Sequence, residues 1–186
     1  MGLAVLSLSR EAANDRYVVD LSIQGGMVAQ HYDVLFNATT LMPVSQLATM
    51  TIQGATLNTR VSIANGRATG TAQDPGPTGI VSSNVNLAVP PGTVDDQVLG
   101  ALVLTLPLAE GYKTTFTSLG LMPAEVRTNE VSVLGKETVT VPAGTFETYR
   151  VLVHSRDDAT MFVTTASPHR IVLVRVSSGV ELRLIK

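Results

Sequence analysis

Through most of this chain apolar and polar residues alternate one by one, and a period of two puts one face of an extended strand toward a core and the other toward solvent. Tyr17, Val19, Leu21 and Ile23 alternate with Val18, Asp20, Ser22 and Gln24. Leu57, Thr59, Val61 and Ile63 alternate with Thr56, Asn58, Arg60 and Ser62, and Val81, Ser83, Val85 and Leu87 resume the pattern. Abundant Val and Thr suit a pleated surface better than a helix. The expectation is a mainly β protein.

The punctuation between strands is short. Asn65-Gly66 is the strongest hairpin signal, because both residues tolerate the positive φ of a type I′ turn. Gly25-Gly26 permits a similar reversal, and DPGPTG at 74–79 reads as a loop. After Gly111 the expected strands are 112–119, 126–134, 138–141, 146–154, 160–165, 170–177 and 180–185. Their connections, such as PAG at 142–144, SRDD at 155–158 and SG at 178–179, admit only antiparallel neighbours, since a parallel crossover needs a dozen or more residues. Ala68, Gly70 and Ala72 share a face with little bulk, so something large can approach there.

One segment breaks the period. Residues 93–106 predict a helix: Thr93 can cap it, Asp95 and Asp96 suit its positive end, and Pro107 stops it. Val94, Val98, Leu102 and Leu106 form a stripe, with Leu99, Val103 and Leu104 on other sides. A helix this apolar must be covered on more than one face. The architecture expected is a long antiparallel meander forming a curved sheet or half-barrel with one covering helix, at about 93–106. It makes a single antiparallel β domain over 1–186.

A chain of 186 residues can bury about 70% of its unfolded surface without a staple. It has no cysteine, which removes disulfides, thiolate metal sites and cysteine nucleophiles. A net charge of −2 lacks the electrostatic footprint of a nucleic-acid binder, so no nucleic acid is expected as a partner. The longest nearly apolar run, 98–109, falls far short of the roughly 20 residues that cross a bilayer, so no transmembrane segment is expected. MGLAVLSLSR has no basic segment and too short an apolar stretch for a signal peptide, so an export signal is not expected within this chain.

No G-x-S-x-G elbow, S-x-x-K pair or phosphate-binding glycine loop occurs, so catalysis has no visible starting point, and an enzyme is not favoured. A triad assembled from distant strands stays open as an alternative, with His31, His154 and His169 as its candidates. His31 and Asp33 point the same way on one strand. His154, Asp157, Asp158 and His169 form a second group around the SRDD turn. Neither has a spacing specific to a metal, so no metal and no cofactor are expected. Arginine supplies 10 of the 13 cations. Arg150 and His154 share a strand face, and Arg150, Arg175 and Arg183 read as cross-strand partners of acids such as Glu147 and Glu181, with a small anionic pocket as the other reading.

The apolar residues pose a binding question. Tyr32, Phe36, Val61 and Phe116 on strands, with Leu99, Leu102 and Leu106 on the helix, are the candidate ligand-binding set for an apolar, lipid-like molecule between sheet and helix. The competing reading, favoured over the pocket, is an ordinary filled core in which Leu99, Leu102 and Leu106 pack directly on the sheet residues Tyr32, Val34, Phe36, Leu57, Val61 and Phe116. Burying an acyl chain contributes about 0.8 kcal/mol per methylene without any specific polar contact. The alternative role is a protein-interaction module that docks on a partner or on a separate catalytic domain.

Three stretches carry a family resemblance. GKETVTVPAGTFETYRV at 135–151 resembles the signature of a group of bacterial exported β-rich domains of unknown function, in which a strand ends at V-P-A-G-x-F and turns into the next. TTLMPV at 39–44 resembles that group's Thr-Leu-x-Pro turn, and DDQVLGALVLTLPLAEG at 95–111 its central helix and Leu-Pro-Leu segment. In MFVTTASPHR at 161–170, Met161 and Phe162 stand where relatives often have a Trp. The group is similar in shape to the sheet-plus-helix carriers of lipoproteins in the bacterial periplasm. The resemblance implies export to the periplasm or cell envelope, while the apolar helix and the absence of catalytic motifs point to a non-enzymatic binding or accessory role.

Overall fold

The computed structural model describes residues 2–11, 16–25, 28–37, 39–40, 42–121 and 123–185, with side chains on the first two strands described only at Ala4, Val5, Ser9 and Ile23. Gly26 and Leu41, which belong to two of the expected turns, lie outside them, as do the side chains that alternate from Tyr17 to Ser22.

The protein is mainly β, with two open seven-stranded sheets and one short helix. Strands β1 (Gly2–Glu11), β2 (Arg16–Gly25), β3 (Val28–Asn37), β4 (Pro43–Ile52), β5 (Ala55–Ala64), β6 (Arg67–Gly76) and β7 (Gly79–Ala88) form the first sheet in sequence order. Every pair in it is antiparallel. The second sheet runs β14-β13-β12-β11-β10-β9-β8, built from β8 (Val94–Asp95), β9 (Lys113–Leu121), β10 (Ala124–Val141), β11 (Gly144–His154), β12 (Ala159–Thr164), β13 (Ile171–Val176) and β14 (Glu181–Arg183). The single meander of the sequence reading is thus divided into two sheets.

Two-residue turns set the register. Asn65 and Gly66 take φ of 50° and 70°, so Ala64 pairs with Arg67. Gln53 and Gly54 do the same for β4 and β5. Pro142 and Ala143 turn β10 into β11, with Val141 opposite Gly144. The expected loop at 74–79 shrinks to Pro77-Thr78, because β6 continues to Gly76, paired with Gly79. Gly135 does not separate two strands: with φ of 148° it pairs with Arg150 and completes a bulge whose extra residue is Leu134, inside the 18-residue β10.

The helix is shorter than 93–106. α1 covers Leu99–Thr105, after a 3-10 turn over Asp96–Val98. Val94 and Asp95 are instead held as a strand, pairing parallel with Ser118 and Leu119, because those strand hydrogen bonds satisfy backbone groups the first helical turn would leave orphaned. Thr93 is buried and its hydroxyl donates to the Pro90 carbonyl, so it does not cap the helix. Asp95 takes that role, accepting the Gln97 N–H at 2.7 Å.

By internal contacts the chain forms two compact units, one of residues 1–98 and 117–127, the other of 99–116 and 128–186. In the first unit Tyr32, Ala48, Val61, Ala68, Ala72, Val85 and Val89 pack with Leu119 and Leu121. The small Ala68 and Ala72 admit these bulky side chains, as the sequence suggested. In the second, Val103 and Leu108 pack with Val131, Val133, Val151, Val153, Met161 and Val163, and Leu106, Phe116 and Tyr149 lie against them. A neighbouring cluster holds Val139, Val141, Phe162, Val172 and Leu173.

Candidate functional site

The most unusual chemistry of the first unit surrounds two adjacent acids. Asp95 is held in β8 and is 1% exposed; Asp96 follows at the start of the 3-10 turn. Burial is the main cause that pushes the Asp95 carboxyl from its ordinary value of 3.8 up to about 8, with the Asp96 charge adding to it and the Gln97 N–H opposing it. Asp95 is therefore largely protonated at neutral pH. Asp96 is ionically held: its Oδ2 lies 3.4 Å from Nη2 of Arg127, which also meets Glu125 Oε1 at 2.9 Å. Gly120 makes room for the pair, because a methyl group there would lie 2.6 Å from Asp96 Oδ2 and closer still to Arg127 Nη2.

The facing sheet contributes further polar groups. Tyr32, Ala48 and Thr59 stand in one cross-strand row, and Val34, Gln46 and Val61 in the next. Val98 packs on Val34 and Phe36, which places the 3-10 turn over this part of the sheet. The Tyr32 hydroxyl is raised above its ordinary value, first by burial and then by the charges of Asp95 and Asp96, and it donates to Gln30 Oε1 at 3.4 Å. Gln46 Oε1, Thr59 Oγ1, Asp95 Oδ2, Asp96 Oδ1 and Arg127 Nε are buried without hydrogen-bond partners among the described residues. Chemically the arrangement holds a proton on Asp95 and a compensated charge on Asp96. Sequence reasoning treated both acids as helix-start residues and passed over Arg127, because nothing local marks a residue as buried.

The seven apolar candidates fall into separate packed groups. Tyr32 and Val61 share the first unit's main cluster, and Phe36 packs with Val34. Leu106 and Phe116 lie against the second unit's core, while Leu99 and Leu102 are half-buried on α1.

A cleft of about 380 Å³ opens on β3, β4 and β5, lined by Asp33, Leu35, Ser45, Leu47, Arg60 and Ser62 together with Val34, Gln46 and Val61. Strand alternation puts the first six on the face opposite the buried Val34, Gln46 and Val61. In register, Asp33, Leu47 and Arg60 make one row and Leu35, Ser45 and Ser62 the next. Leu35 and Leu47 are half-buried and Arg60 is exposed.

Each histidine has its own local partner. His31 Nε2 lies 3.3 Å from Asp33 Oδ2, as their shared strand face required. His154 Nδ1 pairs with Asp158 at 2.6 Å, while His169 Nδ1 contacts the Thr164 carbonyl oxygen at 2.7 Å and its ring meets Tyr149 edge-on. No group of three or more His, Asp or Glu suited to a metal occurs among the described residues. Arg175 and Arg183 both bind Glu181, at 2.8 and 2.5 Å, and hold its carboxyl below the usual range. Arg150 pairs with Glu137 at 3.7 Å, and Glu147 instead accepts from the Thr165 hydroxyl. No helix among the described residues is long and apolar enough to cross a membrane.

Residues 1–183 match the family described as "Protein of unknown function (DUF3108)", and the chain belongs to that family. No curated protein matches the chain. No solved structure matches it either.

Proposed function

We propose that this member of the family is a non-enzymatic, exported binding domain whose ligand is an amphiphile with an acidic head group. The cleft on β3–β5 carries the reading. It sets the apolar Leu35 and Leu47 beside Arg60, a guanidinium with no acidic partner among the described residues, and beside the hydroxyls of Ser45 and Ser62. Apolar walls remove a chain from water without regard to its exact structure, and a guanidinium fixes a carboxylate or phosphate through a charge-assisted pair. The exported setting rests on the sequence resemblance to bacterial envelope domains.

Denaturing extraction followed by lipid mass spectrometry, and titration with a fluorescent fatty acid, test the proposal. The expected result is recovered amphiphile and saturable uptake. Arg60→Glu should weaken uptake roughly tenfold or more, the equivalent of losing one charge-assisted hydrogen bond. Leu47→Ser should weaken it as well, with circular dichroism unchanged. Uptake that ignores both variants but falls with Leu99→Asp or Leu102→Asp would move the contact to α1. Empty extracts and no saturable uptake would sink the reading altogether. The interaction-module alternative has its own support in the edge strand β7.

A further inference from the structure

The first sheet ends in a strand that lacks the usual protections of an edge. Among the described residues β7 pairs only with β6, and its ten residues, GIVSSNVNLA, contain no charge and no proline. Eight of the ten are exposed, among them Ile80 at 47% and Val81 at 53%. Other edges are short or charged: β8 has two residues, β14 is Glu-Leu-Arg, and β1 ends in Arg10 and Glu11. Natural sheets blunt a long edge with lysine, proline or a bulge because its unpaired N–H and C=O groups recruit another strand. β7 does none of these.

We propose that β7 is the contact surface for a second copy of this chain, paired antiparallel about a two-fold axis through Asn84. This goes beyond the ligand reading and does not depend on it. The occupant is chosen by self-complementarity. An uncharged strand gives no electrostatic preference for a basic or acidic foreign segment, and it opposes no like charges when it meets itself. With the axis at Asn84, one strand's Val81 lies opposite Leu87 of the other, and Ile80 opposite Ala88, so both exposed apolar side chains gain apolar cover. Ser83 faces Val85, and Ser82 faces Asn86. The two Asn84 amides meet across the axis, where each can donate to the other's carbonyl oxygen.

Sedimentation of the full chain at several concentrations should show a monomer–dimer equilibrium. Asn84→Lys, which sets two ammonium groups face to face on an exposed strand, should abolish it. Should Asn84→Lys prove poorly folded, the double variant Ser82→Lys/Asn86→Lys sets lysine opposite lysine in the two neighbouring pairs and gives the same loss. Because the chain has no cysteine of its own, Asn84→Cys should form a covalent dimer on mild oxidation. Ser82→Cys, which this register places opposite Asn86, should cross-link far less. A strictly monomeric protein at every concentration overturns the proposal, as does a dimer that survives both lysine variants. Equal cross-linking of the two cysteine variants overturns the axis at Asn84. None of these readouts involves Arg60 or ligand uptake.

Discussion

Arg127 reaches Asp96 across the space left by Gly120, with Nη2 3.4 Å from Oδ2 and both side chains mostly buried. Gly120→Ala puts a methyl group into that contact. The expected cost is about 1–3 kcal/mol, the range for added bulk in a packed site. Urea unfolding monitored by circular dichroism measures it, and an unchanged midpoint would show that the pair can shift aside freely.

Removing the cation should cost more than crowding it. Arg127→Met leaves Asp96 beside a buried acid without its counter-charge, and the partial exposure of the pair moderates the penalty to about 2–3 kcal/mol. If Arg127→Met proves milder than Gly120→Ala, the ion pair is not what holds this corner together.

Asp95 makes stability depend on pH in a defined direction. Its folded-state value is about 8 against 3.8 ordinarily, so between those two pH values the folded chain holds a proton that the unfolded chain has lost. The Asp95 contribution to stability is then fully present below about pH 4, declines as pH rises by up to about 1.4 kcal/mol per unit, and levels off above about pH 8. Asp95→Asn keeps an acceptor for the Gln97 N–H and should flatten that slope. Parallel urea-midpoint curves for the two proteins between pH 5 and 8 would refute the assignment.

Gly70 lies against the β5 backbone so closely that a Cβ would overlap the Arg60 carbonyl and come within 3.0 Å of Val61 Cα. Gly70→Val, although β-branched and suited to a strand by propensity, should destabilise the first unit by about 1–3 kcal/mol. A neutral or stabilising effect in thermal unfolding would mean that β5 and β6 separate readily there.

In the second unit Phe162 is 2% exposed, and the Arg175 guanidinium lies 5.2 Å from its ring centre. Phe162→Ala should cost about 3–5 kcal/mol. Leu134, 47% exposed on β10, is the control, and Leu134→Ala should stay within about 0.5 kcal/mol. Similar losses at both positions would contradict the burial described.

Hairpins were the most legible part of the sequence, because a turn is decided by two residues and their permitted φ. Asn65-Gly66 and Pro142-Ala143 joined their strands as their chemistry required. Glycine was harder to read: Gly135 interrupts the alternation as a turn would, yet the strand continues through it and through the bulge at Leu134. The segment 93–106 looked helical throughout because its apolar content does not distinguish a helix from a buried strand, and only pairing with Ser118 and Leu119 draws Val94 and Asp95 out of the helix.

Local alternation and turn chemistry, read from the sequence alone, determined a mainly antiparallel β protein, the hairpin order from β3 to β7 and the same-face pairing of His31 with Asp33. Period two and φ preferences act between near neighbours, which is why they can be read there. Tertiary structure alone decided the division into two sheets, the short helix, the choice of Glu137 for Arg150, and the burial that keeps a proton on Asp95. Those outcomes depend on residues brought together from distant parts of the chain, such as Asp96, Gly120 and Arg127, whose dielectric surroundings and charge partners no single stretch of sequence encodes.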